Sequence, residues 1–200
     1  MSWVRKTGVS LVAVGSMLCA ASIGTAAYGR AMARVEVARF RAQGGAAALW
    51  DARRIQAYEK SLHVNFAPPL AVLRVPAVGI EAPVLEGTSD DAMNRGVGHI
   101  DGSALPGEVG NVAIAGHRDG FFRALKDLKV GEIVELERQT SAGMQSDQYK
   151  VERISVVEPS DVSVVASTSD ATLTLVTCYP FYFVGLAPKR YVVQAKLVRE

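Results

Sequence analysis

At 200 residues, 49% of them apolar and 21% charged, the chain is long enough for one globular domain and too apolar for intrinsic disorder. Two cysteines exclude a disulfide-stapled scaffold and a four-cysteine zinc site. The net charge of +2 is unevenly spread: residues 1–60 carry nine Lys/Arg against three Asp/Glu and residues 61–200 thirteen against seventeen, so the body is a poor nucleic-acid binder.

Residues 1–6 form a short tail with Arg5 and Lys6, and residues 7–29 contain no charge. A helix of that length spans about 34 Å, enough to cross roughly 30 Å of bilayer hydrocarbon, which predicts a transmembrane signal-anchor over 7–29. Small residues at Thr25, Ala26 and Ala27 would also permit cleavage as a signal peptide, although the apolar core of such peptides is usually shorter. Cys19 lies inside the span and reads as a small apolar residue. Residues 30–65 are rich in Ala and Arg and read as a helical stalk, broken at Gly44-Gly45. Trp50, Ile55, Tyr58 and Leu62 are expected to form its apolar stripe.

After Pro68-Pro69 the texture changes to short β-rich runs punctuated by Gly, Pro, Asp and Asn. The expected strands are 71–75, 82–85, 111–115, 133–137, 148–157, 172–177 and 191–198, with short helices over 89–95 and 121–128. Seven or so short strands predict an all-β barrel or sandwich over residues 66–200. There is no internal repeat, Walker loop, HExxH or dinucleotide fingerprint.

Alternation assigns faces in three of these strands. Val112 and Ile114 share the core face of one, and His117 falls on the other. Leu173 and Leu175 face the core, while Cys178 lies opposite with Thr172 and Thr174. Tyr191, Val193, Ala195 and Leu197 form a buried set, which turns Arg190 outward with Gln194 and Lys196. Cys178, His117 and Arg190 therefore each leave the non-core side of a strand end.

Those residue types suit nucleophilic catalysis. Cys178 follows a polar Thr177 and precedes Tyr179-Pro180, where the strand must stop. A lone Cys is more often a small buried hydrophobe, but a thiol held off the core invites use. A free thiol is only a few per cent ionised at neutral pH and needs a base. His117, after Gly116 and before Arg118-Asp119-Gly120, is the leading partner, whereas His63 in the stalk and His99 in a Gly-flanked loop read as structural. Arg190 has the fixed charge and donors to stabilise an oxyanion, though a surface cation at a strand start is the plainer reading. Asp119 has the chemistry to orient an imidazole, but an Asp before Gly is ordinarily a turn residue.

Gly116-His117-Arg118-Asp119 followed by Phe121-Phe122, then Thr174-Leu175-Val176-Thr177-Cys178, then Arg190 twelve residues on, resemble the sortases, membrane-anchored cysteine transpeptidases of the bacterial envelope. The TLxTC signature is matched at every fixed position. Cys-Tyr-Pro-Phe-Tyr-Phe-Val-Gly and Ala-Pro-Lys-Arg-Tyr look most like class D sortases and their Gram-negative relatives. The resemblance covers about residues 66–200 and implies an eight-stranded β-barrel with its active site in a groove at the strand ends.

By that resemblance Cys178 attacks an LPxTG-like sorting signal after its Thr, His117 protonates the leaving amine, and Arg190 holds substrate and oxyanion. An amine acceptor, from the envelope or another protein, then resolves the thioacyl intermediate. Thr177, Tyr179, Tyr182 and Phe183 are the expected substrate-binding residues, because the 179–186 segment is unusually apolar for a loop. The resemblance also implies a single-pass protein of the bacterial cytoplasmic (inner) membrane with an extracytoplasmic catalytic domain. By charge alone, Arg30, Arg34, Arg39 and Arg41 would hold their side of the span in the cytoplasm.

Some sortases use Ca²⁺, but Glu86, Asp90, Asp91, Asp101 and Glu108 fit no dedicated loop of oxygen ligands, so no metal or other cofactor is expected to be required. Two competing readings are a purely hydrolytic cysteine peptidase and a non-catalytic envelope-binding barrel. Papain-like enzymes place Cys before His in a CGSCW-type sequence, which does not hold here. The His-Gly-Cys neighbourhood of L,D-transpeptidases is absent, and a binding module has no need of a thiol, an imidazole and a guanidinium together.

Overall fold

The computed structural model describes residues 50–182 and 185–198, all within one compact unit, Gly45–Glu200. The tail, the expected span over 7–29 and the stalk as far as residue 49 lie outside the described residues. Among the described residues no helix is long and apolar enough to cross a membrane.

Alternating burial along Ala71–Val75 defines the first strand, β1, with Ala71, Leu73 and Val75 turned inward. Seven more follow: β2 (Ile80–Glu86), β3 (Val97–His99), β4 (Asn111–Gly116), β5 (Ile133–Thr140), β6 (Gly143–Val157), β7 (Thr172–Tyr179) and β8 (Lys189–Leu197). They close into a barrel in the order β1-β2-β3-β4-β7-β8-β6-β5, which leaves no open sheet edge. The pairings β2/β3 and β4/β7 are parallel and the others antiparallel. Leu73, Val84, Val112, Ile114, Leu136 and Leu173 are fully buried within the core. At about 1.5–3 kcal/mol for each large side chain removed from water, this apolar set dominates the stabilisation of the barrel.

The expected all-β barrel is thus present with one more strand than the sequence pattern gives. β3 has only three residues, centred on Gly98. A side chain there would collide with the Gly87 carbonyl, since its Cβ would lie 2.3 Å from that oxygen. His99, expected in a loop, is the last residue of β3 and is buried. Its Nε2 lies 2.9 Å from both the Ala104 carbonyl and Ser103 Oγ, which gives it the structural part expected of it.

Helices are few. α1 (Ala52–Ser61) starts at Asp51, whose carboxylate accepts from the Arg54 amide at 2.9 Å. α2 (Asp90–Arg95) is capped by Ser89. The segment expected as a helix over 121–128 is a 3₁₀ run, Phe121–Asp127, and two more cover Pro76–Val78 and Val162–Val165.

Two expectations about faces are corrected. Ile55 and Leu62 are 43% exposed, so the stalk stripe is not the one expected. Trp50 is buried edge-on to Phe121 at 4.8 Å, and the helix turns Arg54, Tyr58 and Ser61 toward the barrel. Thr172 and Thr174, expected outside, are buried as well. Thr174 donates to Asn111 at 2.7 Å, and Asn111 donates to the carbonyls of Val164 and Ala166. The Val162–Val165 segment thus covers the outer face at Asn111 on β4, where Thr174 of β7 joins it.

Candidate active site

The other end of β4 and β7 carries the three expected catalytic residues on neighbouring stretches of chain. β4 and β7 run parallel with Ala113 opposite Thr174, Ala115 opposite Val176 and Gly116 opposite Thr177. One residue further along the two chains come His117 and Cys178. Neighbouring strands lie about 4.8 Å apart, so these positions are adjacent, and both are in phase with the outer face that carries Asn111 and Thr174. On the other side of β7 the antiparallel register sets Cys178 directly opposite Arg190. Directly opposed residues of an antiparallel pair project from the same face. Three strands thus bring the thiol, the imidazole and the guanidinium onto one face at one rim.

Cys178 is an unpaired, half-buried thiol. The chain around it is fastened by the residues on either side. Thr177 is buried on the core face and its hydroxyl donates to the Gly116 carbonyl at 2.7 Å, locking β7 to β4 immediately before both reactive side chains. Expected as a substrate contact, it has that hydroxyl engaged in joining the strands. Gly116 permits the close packing below His117: a Cβ on it would lie 2.7 Å from the Phe122 ring.

Tyr179 stacks on Tyr191 at 6.2 Å and meets Phe181 edge-on at 6.0 Å, so its ring belongs to an aromatic cluster beside the thiol. Burial raises the Tyr191 phenol above its usual pKa, which keeps that cluster uncharged. Tyr182 is 69% exposed, with the Arg123 guanidinium 5.2 Å from its ring centre. Phe183 lies outside the described residues.

His117 is half-buried, and its carbonyl accepts from the Gly120 amide at 3.0 Å to close a turn. Its pKa is lowered from 6.5, first by burial and then by the nearby Arg54 cation, while Asp119 and Asp90 pull it back up. The imidazole is therefore held toward its neutral form, ready to accept a proton from a thiol. The next residue, Arg118, crosses to the β7–β8 loop, where it donates to the carbonyls of Pro180 at 3.2 Å and Gly185 at 2.9 Å. Arg190 donates through Nη1 to the carbonyls of Lys189 at 3.1 Å and Ala187 at 3.3 Å. Its guanidinium leans along the loop that borders the thiol.

Two participants were not expected from the sequence. One is Arg118 as a loop tether. The other is Arg54, which reaches from α1 to the turn that carries His117. Its spacing of four from Tyr58 on α1 was an available signal that it shares that residue's packed face. The carboxylates Glu86, Asp90, Asp91, Asp101 and Glu108 do not assemble: among the described residues no group of three or more His, Cys, Asp or Glu is arranged to hold a metal ion.

Comparison with known proteins identifies the family of this eight-stranded barrel. Residues 73–198 match the model of the Sortase domain, and the chain belongs to the sortase family. It is 37% identical over 128 residues to Sortase D of Bacillus subtilis, an alignment that covers 64% of this chain and 63% of that protein. The matched region is thus under two thirds of that relative's length.

Among solved structures, a Clostridium perfringens Sortase D5 transpeptidase superposes with a TM-score of 0.59 at 29% identity, covering 72% of this chain and 88% of that one. Sortase A of Corynebacterium diphtheriae, in a lid mutant, superposes with a TM-score of 0.60 at 27% identity, covering 70% and 74%. Sortase C-1 of Actinomyces oris gives 0.58 at 28% identity, covering 72% and 80%.

Proposed function

We propose that the chain is a membrane-anchored cysteine transpeptidase that cleaves an LPxTG-like sorting signal and joins the acyl fragment to an amine. The observation that carries this reading is the register that sets Cys178 opposite Arg190 on β8 and pairs Gly116 with Thr177, the residues immediately before His117 and Cys178.

In the first half-reaction Cys178 Sγ attacks the signal's Thr carbonyl, at the bond between the Thr and the next residue, and the thiol proton passes to His117. The tetrahedral intermediate carries its negative charge on oxygen, where Arg190 supplies donors. Collapse breaks the peptide C–N bond, His117 gives its proton to the departing amine, and a thioester remains on Cys178. In the second half-reaction a neutral amine attacks that thioester and its proton passes to His117. Collapse forms the new amide, and His117 returns the proton to the thiolate. Two acyl transfers replace one difficult exchange, and the enzyme is regenerated.

Residues 7–29 supply the membrane anchor in this reading, with residues 66–200 on the extracytoplasmic face of the cytoplasmic membrane, where sorting-signal proteins and acceptor amines are met. Incubating the full chain with a library of Leu-Pro-x-Thr-Gly-type peptides and candidate amines tests it. Mass spectrometry is expected to find a peptide thioester on Cys178 and, with amine present, a new amide product. Free acid alone, at every amine concentration, would instead favour the hydrolytic peptidase.

Two further outcomes follow from the loop geometry. Arg190 has to rotate from the Ala187 and Lys189 carbonyls to reach an oxyanion, as catalytic contacts often tighten only on substrate. Arg190→Ala is expected to lower kcat about 10²–10³-fold, the effect of one lost oxyanion donor. Arg190→Lys, which keeps the charge without the fork, should fall between. Arg118 and Tyr182 instead shape the wall that receives the Leu-Pro end of the signal. Arg118→Ala and Tyr182→Ala are each expected to raise KM by about tenfold at most, with kcat nearly unchanged, as for loss of one or two modest contacts. Steady-state kinetics with the best peptide measures both pairs of effects.

A further inference from the structure

The catalytic scheme leaves Arg54 unexplained. It lies on α1, which precedes the family-matched domain at residues 73–198, yet its side chain is only 12% exposed. A cation removed from water needs strong partners, and burying one is a poor way to gain stability compared with an apolar side chain of similar size. Arg54 has two partners, both on the elements that surround His117. Nη2 forms an ion pair with Asp119 Oδ1 at 2.7 Å, and Nη1 donates to Asn94 Oδ1 on α2. Nε is buried without a bond, so the fork is held by its two ends.

Asp119 lies two residues beyond His117 in the turn that the Gly120 amide closes onto the His117 carbonyl. Within that turn Gly120 lies between the two side chains, at ordinary packing distance from both. A Cβ on it would sit 3.4 Å from the His117 Cβ and 3.5 Å from the Arg54 Cδ.

We propose that Arg54 is a positioning residue for His117: by tying Asp119 to Asn94 it fixes the turn that presents the imidazole to Cys178. The proposal rests on His117 being the proton carrier of the transpeptidation scheme. An element outside the family-matched domain thereby completes the site. The charge of Arg54 acts in the same direction as burial, disfavouring the imidazolium, while Asp119 and Asp90 oppose it. The charged groups that act on the imidazole are Arg54 from α1, Asp119 from its own turn and Asp90 from α2, while Cys178 and Arg190 follow along the sheet on β7 and β8.

The test has two readouts on the full-length protein in detergent micelles. The first is the NMR titration of the His117 ring, assigned by its loss in His117→Gln. Arg54→Gln removes the cation and is expected to move the His117 midpoint upward. Asp119→Asn removes an anion and leaves Arg54 unpaired, so it is expected to move the midpoint downward. Arg54→Lys keeps the charge and is expected to hold the midpoint near that of the wild type.

The second readout is turnover of a quenched fluorogenic Leu-Pro-Glu-Thr-Gly peptide with triglycine as the amine. Arg54→Gln is expected to lower kcat about tenfold with KM unchanged, as misplacement of a reacting group does. Arg54→Lys should recover part of the loss. Opposite midpoint shifts in the Gln and Asn variants support the proposal. Coincident midpoints, or shifts of one sign in both, overturn it, as does a rise in KM at constant kcat. Should the wild type turn over no peptide, the transpeptidase reading fails, while the His117 midpoints still decide whether Arg54 governs the imidazole.

Discussion

Cys178→Ala is expected to abolish turnover of any sorting-signal peptide, a loss of about 10⁴-fold or more, while the protein remains folded. Loss of a nucleophile removes the covalent route entirely, and what survives is the small acceleration that binding and oxyanion donors give to direct attack by water. The fold should tolerate the change. Cys178 is half-buried on the outer face of β7, and the strand is held there by its ladder to β4 and β8 and by the Thr177–Gly116 bond. The discriminating control is Cys178→Ser. It keeps the shape and a hydroxyl, but a serine oxygen is a far weaker nucleophile when its only base is an imidazole tuned to a thiol. It should fall close to the alanine variant. Intact-mass analysis after peptide addition measures the same loss as a missing acyl adduct, and thermal melting checks the fold. Alkylation adds a readout that needs no substrate. In the wild type, iodoacetamide should react with Cys178 faster than with a free cysteine, and His117→Ala should slow it. An inert thiol would return the domain to the non-catalytic reading.

How much of this was legible from sequence differs by element, and the differences have physical causes. β4 and the first half of β7 alternate bulky apolar residues with small or polar ones, so their core faces were readable. β3 was not: three residues around Gly98 leave no period to detect, and the reason for the glycine, the Gly87 carbonyl pressed against it, is a contact eleven residues away. The burial of Thr174 was equally hidden. It looks like an exposed polar residue until Asn111 and the Val162–Val165 segment, distant in sequence, cover it. At the rim, each of the three catalytic candidates could be assigned to the non-core side of its own strand. Their convergence could not be derived from periodicity, because it is a property of the parallel β4/β7 register and the Cys178–Arg190 pairing. Only family resemblance anticipated it. Arg54 escaped both approaches. Hydrophobic patterning drew the stripe through Ile55 and Leu62 and gave Arg54 no part, because its partner is an aspartate 65 positions along the chain.

The second large effect is at His117. His117→Ala is expected to reduce kcat/KM by about 10³–10⁴-fold, the upper range for a positioned acid–base group. The loss exceeds that expected of Arg190 because the imidazole acts in every proton transfer of both half-reactions. Its environment also sets the pH dependence. Burial, and then the Arg54 cation, lower its pKa from 6.5. The productive Cys178–His117 pair shares one proton, whichever partner holds it, so the acid limb of the rate profile is a property of the pair. That limb marks the gain of a second proton, which blocks thiol ionisation. It is expected below pH 6.5, so the enzyme keeps its activity at pH values where an exposed histidine would already be half-charged.

The same shift bears on stability with a definite sign. The unfolded chain binds its proton near pH 6.5 and the folded chain only at lower pH, so the neutral imidazole contributes its full share of stability above 6.5. The contribution is lost as pH falls from 6.5 toward the lower folded value. Thermal melting of the wild type should decline across that window more steeply than that of His117→Ala, which has no imidazole to charge. Parallel melting profiles in the two proteins would mean that the imidazole titrates in the folded chain as it does in water, and the acid limb would then have to be assigned to another group.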